Sequence, residues 1–245
     1  MTDMLTRRNI LTLAAVSTAA LAVTAGSQAW AEDAAAPAAG ASTPAPATPA
    51  PATPSNVKIP EAAGKVDQAK LMEQGALKDI VLGKADAPVT IVEYASMTCP
   101  HCAHFTVATL PTIKEKYIDT GKAKLILREF PFDPRAAAAF MLARCAPEDR
   151  YYPLVDVLFK QQEQWAASAN AVEPLMQISK LAGFTQESFN ACLTNQKLLD
   201  DVNASRDRGA KDFGVNATPT FFINGTKYSG ALSVDEMSAI IDGLL

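Results

Sequence analysis

Hydrophobic residues are spread unevenly along this chain, and their spacing divides it into segments of different kind. Residues 1–31 carry an apolar stretch from Ile10 to about Ala25 behind Arg7-Arg8, whereas residues 32–56 offer no apolar side chain larger than Ala. From residue 57 onward the pattern becomes that of a folded protein. Residues 66–77 predict a short helix with Val66, Ala69, Leu71 and Leu77 apolar, too brief for a coiled coil. Residues 79–82 predict an edge strand, 83–88 a turn, and 89–94 a buried strand rich in β-branched side chains. Residues 100–116 have helical spacing at Phe105, Val107, Ala108, Leu110 and Ile113, with a kink expected at Pro111 and a stop at Gly121. Residues 123–130 form the next strand, which completes a βαβ order.

No good strand follows until residue 220. Residues 136–146, 150–165, 172–181, 186–194 and 197–213 all show helical spacing, punctuated by Pro147, Pro174 and Gly183. Thr220-Phe221-Phe222-Ile223 is a strand, Asn224-Gly225 a hairpin turn, and Lys227-Tyr228 the start of the returning strand. Ser233, with Glu236 three residues on, opens a closing helix over residues 233–245. The fold class is therefore α/β, a small mixed sheet flanked by helices and interrupted by an all-helical block.

Composition changes the reading of the first 56 of the 245 residues. A positive start, an Ala- and Thr-rich apolar stretch interrupted by Ser17, and Ala29-Trp30-Ala31 describe a cleavable export signal over 1–31 rather than a bilayer span. Thr6-Arg7-Arg8-Asn9-Ile10-Leu11 looks like a twin-arginine signal, and the Sec route stays open. The Ala/Pro/Thr-rich stretch 32–56 reads as a disordered tether, followed by an N-terminal extension over 57–78. The net charge is −4, and removal of Arg7, Arg8 and Asp3 with the signal makes the chain slightly more acidic. That balance argues against a nucleic-acid partner.

The candidate chemistry lies in Cys99-Pro100-His101-Cys102, where a strand gives way to a helix. A C-x-x-C pair alone serves metal, haem and redox sites alike. Haem attachment requires His after the second Cys, and Ala103 stands there; four zinc ligands cannot easily be wrapped from one short segment that contains both histidines, His101 and His104. No metal and no cofactor are expected. Helix-start N–H groups favour a thiolate at Cys99, which makes it the nucleophile, and Cys102, one turn inside the helix, the resolving thiol. His101 is expected to donate a hydrogen bond or positive charge toward Cys99; His104 is either a surface residue or a weaker modulator.

The segment from Val89 to Cys102, a long helix, a helical insertion and Ala217-Thr218-Pro219-Thr220-Phe221-Phe222 together resemble the DsbA-type thioredoxin-fold proteins of the bacterial periplasm. The resemblance runs from about residue 78 to the end, dividing it into a thioredoxin-like domain over 79–132 and 214–245 and an inserted subdomain over 133–213. It implies a cis peptide bond before Pro219, pairing of the Thr218 backbone with substrate, and a buried Glu93 that moves a proton for Cys102. Cys145 and Cys192 face an oxidising compartment if the export signal is right and, with Cys99 and Cys102 committed to each other, are expected to form a structural disulfide. The implied activity is the introduction of disulfides into reduced, exported polypeptides, with a DsbB-like membrane partner resetting the protein, and a monomer is expected. Pro100-His101 favours oxidation, whereas Thr218-Pro219 keeps open an isomerase or reductase like DsbC, DsbG or ScsC. A non-catalytic binding or chaperone module on the same fold is the alternative of a different class.

Overall fold

The computed structural model describes residues 57–245; the export signal and the tether expected over residues 1–56 lie outside them. Six strands form one mixed sheet in the order β1-β6-β5-β3-β4-β2. These are β1 (Gly64–Lys65), β2 (Val81–Leu82), β3 (Val89–Ala95), β4 (Ala123–Glu129), β5 (Thr220–Ile223) and β6 (Thr226–Ser229). The βαβ crossover predicted from the sequence makes β3 and β4 parallel, and every other pairing is antiparallel. β1 has no hydrophobic pattern to announce it; it is held by backbone bonds, Ala63 N–H to the Lys227 carbonyl and Val66 N–H to the Gly225 carbonyl.

Alternation along the central strands separates two cores. Ile91, Leu125, Phe221 and Ile223 pack with Phe105, Ile113, Met237 and Ile241 on one face. Val92, Tyr94, Ile126 and Phe222 pack with Leu71, Phe130 and Phe213 on the other. The first face is covered by the helix after Cys99 and by the closing helix (Val234–Asp242), which opens with the Ser233/Glu236 capping box. The second is covered by a short helix (Gln68–Met72), shorter than the sequence pattern suggests and capped by Asp67, and by the end of the helix Gln196–Phe213.

The helix following Cys99 is not a regular α-helix. α-Helical turns at Pro100–His104 and Leu110–Ile113 alternate with π-helical turns at Phe105–Thr109 and Lys114–Ile118. The irregularity expected at Pro111 is therefore taken up as a widened turn: Pro111 has no N–H for the preceding turn, and the Leu110 N–H reaches back five residues to Phe105.

Between β4 and β5 lie six α-helices, Pro134–Cys145, Tyr151–Lys160, Gln162–Trp165, Val172–Lys180, Gln186–Leu193 and Gln196–Phe213, and a 3₁₀ turn at Glu148–Arg150. The segment read as one helix over 150–165 breaks at Gln161. Phe140, Leu158, Trp165 and Phe189 form the core of this block, and Met97 and Cys102 are built into the same core. Cys145 and Cys192 are joined by a disulfide with Cα atoms 6.1 Å apart. The fold is thioredoxin-like with a helical insertion.

Candidate active site

The site forms because β3 and β5 run antiparallel. Glu93 pairs with Phe221 and Tyr94 with Thr220, so the end of β3, where Cys99 follows, lies beside the start of β5, where Thr218 and Pro219 precede it. The Thr218–Pro219 peptide bond is cis. Cys99 Sγ lies 3.3 Å from the Thr218 carbonyl oxygen, to which the thiol donates.

Cys99 is the N-cap of the helix and is half-buried, with Pro100 at the first helical position; Cys102 is fully buried one turn on. Their environments drive the two thiols apart. Cys99 is held down to about 5, first by a hydrogen bond from the Cys102 thiol, then by the Thr218 side chain and the backbone N–H groups of Cys102 and His101, against the opposing effect of burial. Cys102 is pushed up, first by burial and then by its bond to Cys99 and the nearby Glu93 carboxyl. Thr218 Oγ1 is buried without a partner while Cys99 is a thiol, so its hydroxyl is free to donate once Cys99 ionises.

Glu93 lies on the same strand face as Ile91, fully enclosed, and Oε1 has no hydrogen-bond partner. Burial, and then the charge on Cys99, raise its carboxyl to about 8, so it holds a proton at neutral pH. The structure thus brings Cys99, Cys102, Glu93, Thr218 and Pro219 to one place. His101 and His104 are exposed, and neither imidazole forms a hydrogen bond among the described residues. His101 acts on Cys99 through its backbone N–H rather than through its ring.

Sequence reasoning did not find the residues that fix the loop. Gln162, buried on the helical insertion, donates from Nε2 to the carbonyls of Met97 (2.8 Å) and Cys99 (3.0 Å). Thr98 Oγ1 donates to Asp133, which also caps the helix Pro134–Cys145. Gln162 sits in the polar run Gln161-Gln162-Glu163-Gln164, which reads as a solvated face. Beside Cys99 a cleft of about 600 Å³ is lined by Thr98, Pro100, Asp133, Arg135, Gln162 and Glu163. Among the described residues no cluster of three His, Cys, Asp or Glu side chains is placed to hold a metal ion.

Known proteins share this fold. The thioredoxin family profile matches residues 76–243. A Rickettsia bellii protein provisionally named a protein-disulfide oxidoreductase is 37% identical over 165 residues, which make up 67% of this chain but only 63% of that protein. Among solved structures, alpha-DsbA1 of Wolbachia pipientis is 32% identical with a TM-score of 0.67, covering 73% of this chain and 96% of its own. BdbD of Bacillus subtilis, at 24% identity and a TM-score of 0.62, covers 68% of this chain and 92% of its own and shares the fold.

Proposed function

The chain belongs to the DsbA family of thioredoxin-fold proteins, and from that membership we propose that it is a thiol–disulfide oxidoreductase that passes the Cys99–Cys102 disulfide to reduced, exported polypeptides. The observation that carries this reading is the asymmetry of the two thiols: Cys99 is accessible and ionised, Cys102 sealed and protonated.

Each residue then has a role. A substrate thiolate attacks Cys99 Sγ of the oxidised protein; the disulfide breaks, and the electron pair leaves on Cys102. A thiolate at that buried position is unfavourable, and the Glu93 carboxyl supplies its proton. The second substrate thiolate attacks the substrate sulfur of the mixed disulfide and expels Cys99, a good leaving group because its thiolate is stabilised. Substrate is oxidised by two electrons, and the protein is left as the Cys99 thiolate and the Cys102 thiol, with Glu93 reprotonated by one of the two protons that the substrate thiols release to solvent. The Thr218 backbone pairs with an extended substrate segment, Pro219 holds that backbone in place, and the neighbouring cleft takes substrate side chains. A DsbB-like membrane partner would restore the disulfide, the compartment would be the periplasm, and the 1–31 segment would be the export signal. The catalytic body would be a monomer.

Stabilising the reduced form makes the disulfide oxidising, which favours oxidase over isomerase. Equilibration with a glutathione series tests this: a protein mostly reduced at intermediate glutathione ratios supports an oxidant, and one that stays oxidised there rules it out. Cys99→Ser should abolish exchange; undiminished exchange by that variant would show that Cys99 does not carry it, and no exchange by the unaltered protein would leave the fold as a binding module.

A further inference from the structure

A second cavity, with no lining residue in common with the cleft, has Glu93 in its wall. Its volume of about 380 Å³ lies within the range of small-molecule sites, roughly 300–1,000 Å³. Leu82, Leu125 and Leu127 line it from the sheet, Leu110 from the helix after Cys99, and Val155 from the helix Tyr151–Lys160; the exposed Pro111 and Pro153 flank its mouth. Besides the charged Lys114 and Asp156, three polar side chains line it, Thr106, Tyr152 and Glu93. The Tyr152 hydroxyl is already spent, bonded to the carbonyls of Ile80 (2.8 Å) and Leu125 (3.0 Å). Of the lining residues, Glu93 is the one whose buried side chain keeps a polar atom, Oε1, without a partner among the described residues.

These features define an occupant. Leucine and valine walls offer a chain of water molecules too few partners, and they suit an apolar body. A lining carboxyl with an unsatisfied oxygen leaves a hydrogen bond to be made, costly to leave unmade once the cavity is filled. The rim charges are already neutralised, Lys114 by Asp119 at 2.6 Å and Asp156 by Lys160 at 2.7 Å, and Glu93 is uncharged at neutral pH. Nothing there attracts an ion.

We propose that this cavity binds a small neutral molecule with an aliphatic body and a terminal hydroxyl or amide, seated with that polar end on the Glu93 carboxyl. Glu93 would then be shared between this pocket and the thiol pair. The site stands on the cavity and the unpartnered oxygen, independently of the redox reading.

Calorimetric titration of the reduced full-length protein with n-octanol tests it. One saturable site is expected, with n-nonane binding roughly tenfold more weakly for want of the hydrogen bond. Leu110→Trp and Leu82→Trp, which fill the cavity from opposite walls, should abolish binding; in the wild type, nuclear Overhauser contacts should join the octanol chain to the methyls of Leu125 and Leu127. No saturable binding, equal affinity for n-nonane, absence of those contacts, or binding retained by both folded variants overturns the site. Exchange with glutathione is followed in the same samples. Exchange without binding defeats the pocket, and binding without exchange defeats the oxidoreductase reading instead.

Discussion

Cys99 Sγ and the Thr218 carbonyl oxygen are 3.3 Å apart although 119 positions separate the two residues in sequence. The carbonyl accepts from the thiol, and the buried, unpartnered Thr218 hydroxyl is available to the thiolate, so one residue serves both protonation states. The rate of Cys99 alkylation should therefore rise with pH around a midpoint near 5. Thr218→Val keeps the shape and the carbonyl but removes the donor to the anion. A hydrogen bond to a charged group contributes about 1.5–3 kcal/mol, discounted here for a half-exposed sulfur, so the midpoint should move up by about one unit. An unchanged midpoint in Thr218→Val would show that the hydroxyl is not a donor to the thiolate.

Gln162 ties the helical insertion to the active-site loop through two carbonyls that no other side chain among the described residues reaches. Gln162→Met preserves length but leaves both acceptors without this partner. Unfolding in urea should show a loss of about 1–3 kcal/mol. An unaltered denaturation midpoint would show that water replaces the side chain there without cost.

The elements with strong periodicity were legible in the sequence because burial wrote the pattern. Strand β3, buried along its whole length, and the amphipathic helix Val172–Lys180 are examples. Strand β1 was not, because an edge pairing made by backbone groups of Ala63 and Val66 leaves no mark on side-chain type. The thiol pair and the Thr218-Pro219 turn could be read from local motifs. Gln162 could not, since a glutamine that bonds two carbonyls has the same identity as one that faces water.

The Cys145–Cys192 bond closes a loop between residues separated by 47 positions and joins the helices Pro134–Cys145 and Gln186–Leu193. Cross-linking a loop of that length removes conformational freedom from the unfolded chain worth roughly 2–4 kcal/mol. The double variant Cys145→Ala/Cys192→Ala should lose stability by that amount in urea denaturation while its Cys99 alkylation profile stays in place, because the bond joins two helices of the insertion and does not touch the hydrogen bonds that hold Cys99 down. A shift in the Cys99 midpoint would instead mean that the insertion transmits strain to the site.

The raised carboxyl of Glu93 makes stability depend on pH in a direction opposite to that of an ordinary surface acid pair. Its folded value is about 8 against 4.5 as a free group, from burial first and from the Cys99 charge second. In the oxidised protein the Cys99 charge is gone and burial remains. Above pH 4.5 the unfolded chain releases this proton while the folded one keeps it, so the unfolded state binds fewer protons and stability falls as pH rises toward the folded midpoint. The slope can reach about 1.4 kcal/mol per pH unit for one proton. The reduced protein adds Cys99, depressed from 9.0 to about 5, whose contribution rises with pH over that span and offsets part of the fall. Urea unfolding between pH 5 and pH 8 should therefore give a steeper decline for the oxidised than for the reduced protein. Glu93→Gln should remove the decline in the oxidised form. A slope that survives this substitution would assign the buried proton to another group and leave Cys102 without its donor.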